Sequence, residues 1–196
     1  DEIAATAQRA TVAVEDRRFY AHPGVDLYAI ARAAVENVRA GKFVSGGSTI
    51  TQQVIRNVYH HPRTLLQKLV EAWCALRLER MMTKEEILEQ YLNRAPYGNQ
   101  LTGIASASRH YFGKPPRDLS IAESAFLAAL PNGPAALNPY KRLDAAISRE
   151  RVVLRRMLDQ GRIVKEEYDR ALLQPLNIFP PEVNFRAPHA VEMVVS

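Results

Sequence analysis

Apolar residues recur at helical spacing along most of this chain, and the pattern reads as an almost wholly helical protein. Leu27, Ile30, Ala31, Ala34, Val35 and Val38 keep that spacing from an Asp26 cap until Gly41 ends the helix. Ile50, Val54 and Val58 form one stripe of a second helix, for which Ser48 is a suitable N-cap. From about Arg63 to Met82 the expected buried stripe is Leu65, Leu66, Leu69, Trp73 and Leu76, with Lys68, Glu71, Ala75 and Glu79 on the opposite side. Thr83 with Glu86 and Ser120 with Glu123 have the spacing of capping boxes. The helix behind Ser120 is apolar nearly all round and is expected in the core, stopped by Pro131. Further helices are expected from about Asp144 to Gln160, closed by Gly161, and over about Lys165–Leu173. Pro175, Pro180, Pro181 and Pro188 break the pattern, so the expected organisation is a domain over 1–174 and a linker or edge strand over 175–196.

Composition narrows the function classes. The 196 residues suit one domain, and 47% apolar content is enough for a core. The net charge of +5 fits an anionic partner, but no nucleic-acid-binding motif is present and the basic residues do not gather in one tail. An anionic membrane surface fits the same charge. Cys74 is the one cysteine, which rules out an intramolecular disulfide. No run of 18 apolar residues exists, no Ser-x-x-Lys occurs, and the first residue is not Met, which is expected of a piece of a longer chain.

Three segments carry candidate chemistry. Residues 15–26, Glu-Asp-Arg-Arg-Phe-Tyr-Ala-His-Pro-Gly-Val-Asp, put four charges ahead of two aromatics, a histidine and a Pro-Gly turn. That mixture suits a loop presenting a carboxylate to a substrate. In Ser45-Gly46-Gly47-Ser48-Thr49-Ile50-Thr51-Gln52-Gln53, the glycines let backbone approach a ligand closely. Thr49, Gln53 and Arg56 then share one side of the helix, and a hydroxyl, an amide and a guanidinium in line suit a phosphate or a sugar. The third segment holds Lys68 and Glu71 as neighbours at i, i+3, where an ordinary charge pair on a solvated helix is the plainer expectation.

Together the segments resemble the family-51 peptidoglycan glycosyltransferases. Glu-Asp-x-x-Phe-x-x-His-x-Gly (15–24), Gly-Gly-Ser-Thr-Ile-Thr-Gln-Gln (46–53) and Lys-x-x-Glu-x-x-x-Ala-x-x-Leu-Glu (68–79) look like the family's first three motifs. Lys84-Glu85-Glu86-Ile87-Leu88-Glu89-Gln90-Tyr91-Leu92-Asn93 resembles the fourth, and Gly103 through Tyr111-Phe112-Gly113-Lys114 the fifth. The five motifs stand in the family's order over roughly residues 8–160. Arg56 and residues 92–98 look most like the penicillin-binding protein 1C branch. Position 56 is Lys in most of the family, and position 67, Gln here, is usually basic.

The resemblance implies a mainly α, lysozyme-like, two-lobed helical domain with the active-site cleft between lobes. It implies glycan polymerisation from lipid II, with release of undecaprenyl pyrophosphate and inversion at the anomeric carbon. Such a reaction needs a base for the attacking hydroxyl and counter-charge for the pyrophosphate. Glu15 is the expected base, with Asp16 beside it raising its proton affinity. Glu71 is the expected second catalytic glutamate, assisting at the leaving group through a divalent cation (Mg or Mn). Arg56, Arg63 and Lys68 are expected on the pyrophosphate, with Thr49 and Gln53 on the donor and Gly47 and Ser48 beside them. Phe19 and His22 are expected to anchor and brace the first-motif loop, and the resemblance places them, with Asp16, in the substrate-binding set. No metal-ligating residue is assigned: His60 and His61 are adjacent and splay apart on a helix.

Expected partners are lipid II, the growing glycan chain, cell-wall synthesis proteins and a membrane surface, with Lys42-Phe43-Val44 a candidate for shallow insertion. The implied location is the outer, periplasmic face of a bacterial inner membrane, with the anchor outside this sequence. Two other classes compete. A glycan-cleaving enzyme would also use two carboxylates but has no use for the Arg56, Arg63 and Lys68 trio. A catalytically silent lipid II-binding module is the third class.

Overall fold

The computed structural model describes residues 2–42, 46–59 and 64–180. Arg63, Phe43, Val44, His60 and His61, and everything beyond 180, lie outside the described residues. Helices α1 (Ala5–Glu15), α2 (Leu27–Ala40), α3 (Ile50–Tyr59), α4 (Leu65–Leu78) and α5 (Lys84–Arg94) lead to α6 (Ile104–Phe112) and α7 (Ile121–Ala129). The order closes with α8 (Leu143–Asp159) and α9 (Lys165–Leu173). Among the described residues there is no strand, only one isolated antiparallel bridge between Pro96 and Thr102.

The helix ends follow from local chemistry. The Asp26 side chain accepts from the Ala29 backbone N–H, and Gly41 closes α2 at φ 62°, a left-handed conformation that suits glycine. Both capping boxes form with both of their hydrogen bonds, at Thr83 with Glu86 and at Ser120 with Glu123. Every residue of α7 from Ala122 to Ala129 is buried, as its apolar circumference requires. It is the central helix, with α1 and α8 packed against it, while α3 packs against α5 on one side and α4 on the other. One apolar cluster joins Val12, Phe19, Ile50, Val54, Tyr91 and Phe126, and a second joins Ala10, Val14, Ala125, Leu154 and Met157. Leu176 and Ile178 pack partly buried against the core, and the Phe179 N–H donates to Tyr111 O at 2.9 Å. The first residues of the expected linker therefore lie on the body.

Two features depart from the sequence expectation. Helix α1 has no counterpart in it: Ala10 to Val14 are buried as one unbroken run, and Ala4 offers no side-chain cap, so neither periodicity nor a start signal marks it. Helix α4 turns the opposite face inward. Glu71 (6% exposed) and Ala75 (0%) are buried, whereas Leu66, Leu69 and Trp73 are 69%, 64% and 59% exposed. The reason is steric: Gly24, at φ 100°, brings its backbone so close to α4 that a Cβ there would lie 2.8 Å from Ala75 O. Only a small residue at 75 admits that approach.

Glu150 is buried in α8, and desolvation pushes its carboxyl up to about 7, partly opposed by Arg151. A carboxyl whose folded pKa is raised loses stabilisation as pH climbs from its unfolded value to the folded one. Glu150→Gln should therefore raise the thermal midpoint at pH 8, with the gain over wild type shrinking toward pH 4.5. Differential scanning fluorimetry across that range checks the sign.

Candidate active site

The site begins with a buried carboxylate. Asp16 follows the last residue of α1, and its oxygens lie 3.0 and 3.1 Å from His22 Nε2. Since the Gly24 N–H donates to His22 Nδ1 at 3.2 Å, the ring proton sits on Nε2 and points at Asp16. Asp16 Oδ2 also accepts from the Ile50 N–H at 3.0 Å, the first residue of α3. One side chain thus ties the end of α1, the Pro-Gly loop and the start of α3 together. His22 braces the loop as expected. Phe19 is fully buried with Lys84 Nζ 4.5 Å above its ring, so it anchors the loop and is removed from any substrate contact.

Glu15 is the final residue of α1, not a loop residue. Its Oε2 accepts from Gln53 Nε2 at 3.0 Å, and its Oε1 is buried without a hydrogen-bond partner. Burial raises its pKa above the ordinary carboxylate range, opposed by the Gln53 hydrogen bond, Arg149 and Arg156. The Asp16 charge adds to the rise as the smallest of these influences, so desolvation, not the neighbouring acid, makes Glu15 more basic. The α1 terminus is held from α8: Arg156 Nη1 donates to Val14 O at 3.1 Å and Gln160 Nε2 to Ala13 O at 2.9 Å. Sequence reasoning missed these residues, because nothing local to α8 links it to a segment more than 140 positions away.

One turn along α3 from Gln53, Arg56 forms a bidentate pair with Glu71: Nε to Oε1 at 3.0 Å and Nη2 to Oε2 at 2.8 Å. Arg56 Nη2 also donates to Ser48 Oγ at 3.4 Å. Lys68 is not the partner of Glu71; it is exposed and its side chain makes no hydrogen bond or ion pair among the described residues. Glu71 is accordingly no solvated helix-face residue. Both of its oxygens are occupied by the guanidinium, so the residues as placed do not fit a divalent cation at Glu71. Asp16, His22 and Asp26 are close enough together for one, but the His22 proton already faces Asp16. Arg63 lies outside the described residues.

The glycine-rich segment differs from expectation in two ways. Thr49, not Ser48, caps α3: its Oγ1 accepts from the Gln52 N–H at 3.2 Å and donates to Gly24 O at 2.6 Å. Buried and saturated, Thr49 is not available to a donor sugar. A Cβ on Gly47 would lie 2.8 Å from Ile30 Cα, so this glycine admits helix α2 and not a ligand. The groups that the structure does align are Glu15, Gln53, Arg56 and Glu71, two carboxylates joined through positions i and i+3 of a single helix.

In this helical domain one helix, α3, holds a desolvated glutamate of α1 through Gln53 and clamps a glutamate of α4 through Arg56, which sets a proton acceptor beside a cation. The transglycosylase family model matches residues 1–158, and the chain belongs to that family. It has the mainly α, lysozyme-like fold expected. The chain is 42% identical over 99% of its length to penicillin-binding protein 1A of Escherichia coli K12 and 45% identical over 91% to that of Aquifex aeolicus. It spans about a quarter of each, 23% and 25% respectively. It is also 45% identical, over 86% of its length and 73% of the relative, to a putative transglycosylase of Cupriavidus necator. The crystal structure of penicillin-binding protein 1A from Haemophilus influenzae superposes with a TM-score of 0.51 at 43% identity, covering 58% of this chain and 17% of that one. The penicillin-binding proteins among these relatives carry the 1A name, and the 1C resemblance gains no support from them.

Arg56→Ala would leave the buried Glu71 carboxylate unpaired and should destabilise the domain by about 3 kcal/mol. Arg56→Lys should recover part of that loss, since one ammonium replaces only one of two parallel hydrogen bonds. Urea denaturation of the three proteins measures it.

Proposed function

We propose that this domain polymerises peptidoglycan glycan strands from lipid II. The observation that carries the reading is the partly orphaned, desolvated Glu15 held by Gln53 one helical turn from Arg56. Glu15 takes the proton from the 4-hydroxyl of the acceptor's GlcNAc as that oxygen bonds to the anomeric carbon of the donor glycan. The bond from that carbon to the pyrophosphate oxygen breaks, and undecaprenyl pyrophosphate leaves with inversion. Its raised pKa makes Glu15 a stronger base than a solvated carboxylate.

Arg56 is the counter-charge for the departing pyrophosphate, exchanging one oxygen of Glu71 for phosphate oxygens. Glu71 then aims the guanidinium and keeps it in place between turnovers. Lys68, exposed on α4, adds positive charge, and Ser48 Oγ accepts from Arg56 Nη2 at 3.4 Å. No step needs a metal ion.

Glu15→Gln is expected to lower polymerisation by about 10²–10⁴-fold with a thermal midpoint no lower than that of wild type. A gel-based lipid II polymerisation assay checks it, and more than a tenth of wild-type activity would remove Glu15 as the base. Addition of moenomycin, a phosphoglycolipid inhibitor, separates donor-site binding from chemistry.

The substrate carries a polyprenyl chain, so the domain works at a membrane surface, at the outer face of the bacterial inner membrane in this reading. No helix among the described residues is long and apolar enough to cross a membrane. The outward apolar side of α4, with Leu66, Leu69, Val70 and Trp73, supplies the contact, alongside the exposed Leu27, Tyr28 and Val38 of α2. Leu69→Ser/Trp73→Ser should reduce co-sedimentation with anionic liposomes several-fold relative to wild type. Equal partitioning would end the membrane role of this face.

A further inference from the structure

Two of the buried polar atoms left without a hydrogen-bond partner are Glu15 Oε1 and the hydroxyl of Tyr91. Tyr91 lies in α5, only 1% exposed, within the apolar cluster that also contains Val12 of α1 and Val54 of α3. Helix α5 packs on α3, and α3 delivers Gln53 to the other oxygen of Glu15. A phenylalanine would fill the same volume without burying an unpaired hydroxyl, so the hydroxyl has no packing reason to be there. The two groups also sense one another: after burial, the Glu15 carboxylate is the next cause holding the Tyr91 phenol well above its ordinary value.

We propose that Tyr91 is a positioning residue for Glu15, its hydroxyl linked to Oε1 through one buried water. Through that water it donates toward Oε1 while Glu15 is a carboxylate, and accepts once Glu15 carries the acceptor's proton. Gln53 and Tyr91 would then hold one oxygen each, fixing the carboxyl plane toward the incoming hydroxyl. The inference rests on Glu15 being the general base. The other groups bearing on Glu15 are Asp16 beside it, Tyr97 after α5, and Arg149 and Arg156 on α8. None of these is altered by removing the Tyr91 oxygen.

The test is Tyr91→Phe in the whole domain, with Glu15→Gln alongside, assayed with lipid II from pH 5 to pH 9. Loss of a donor to the charged form raises the Glu15 pKa, so the acid limb of kcat should move up by about half to one pH unit. On the acid limb the rate should fall by about three- to tenfold, with a smaller deficit on the alkaline side and little change in KM. A ¹³C NMR titration of the Glu15 carboxyl, assigned against Glu15→Gln, should show the same upward move without any turnover. An inactive Glu15→Gln beside a Tyr91→Phe protein with wild-type rate, limb and titration would overturn the role of Tyr91 alone. A Tyr91→Phe protein with a lowered thermal midpoint but an unmoved limb would make the hydroxyl structural and overturn it too. An active Glu15→Gln would instead sink the base assignment beneath both.

Discussion

The Asp16 carboxylate is the contact on which the rest of the site depends. It is buried, and a buried charge persists only when its lone pairs are satisfied. Here the His22 ring and the Ile50 N–H do so, and each belongs to a different segment. The hydrogen bonds that keep this charge inside therefore fix where α1 stops, how the Pro-Gly loop folds back and where α3 starts. Glu15 inherits its place from that arrangement. One residue earlier on the chain, it turns toward Gln53 and into a space with no second partner.

Identical carboxyl groups acquire different chemistry from these surroundings. Glu15 has one amide donor, two arginines at longer range and little water, so its charged form is disfavoured. Glu71 has a guanidinium fork across both oxygens. Since Gln53 and Arg56 lie one turn apart on α3, the separation between the amide that holds Glu15 and the guanidinium that clamps Glu71 is set by helix geometry and not by loop conformation. One rigid element that positions both is what the proposed displacement, with a base at one end and a charged leaving group at the other, demands.

The same packing explains the wet-looking side of the molecule. Burial of Glu71 and Ala75 obliges α4 to turn its leucines and Trp73 outward, and α2 buries Ala33 alone. Exposed apolar side chains in such number suit a contact surface. In the proposed reaction the lipid-anchored substrate gives that surface a use. The Glu71 side and the outward apolar side of α4 are thus two consequences of one orientation, fixed where the Gly24 backbone meets Ala75.

Local chemistry settled a good part of this by sequence alone. The capping boxes at Thr83 and Ser120, the Asp26 cap, the Gly41 stop and the wholly apolar α7 depend on neighbours within a turn, and all are found where spacing puts them. The motif order likewise marked Glu15, Gln53, Arg56 and Glu71 as chemical residues. Tertiary structure decided what they touch. Periodicity reports that a helix has two faces but not which one meets the protein, so α4 was read inside out and Lys68 stood where Arg56 belongs. Helix α1 escaped because a segment buried on all sides carries no periodic signal. The Arg156 and Gln160 contacts to α1, and the shared interior of Tyr91 and Glu15, join residues far apart along the chain. Only the closed fold brings their charges and hydroxyls within reach of one another.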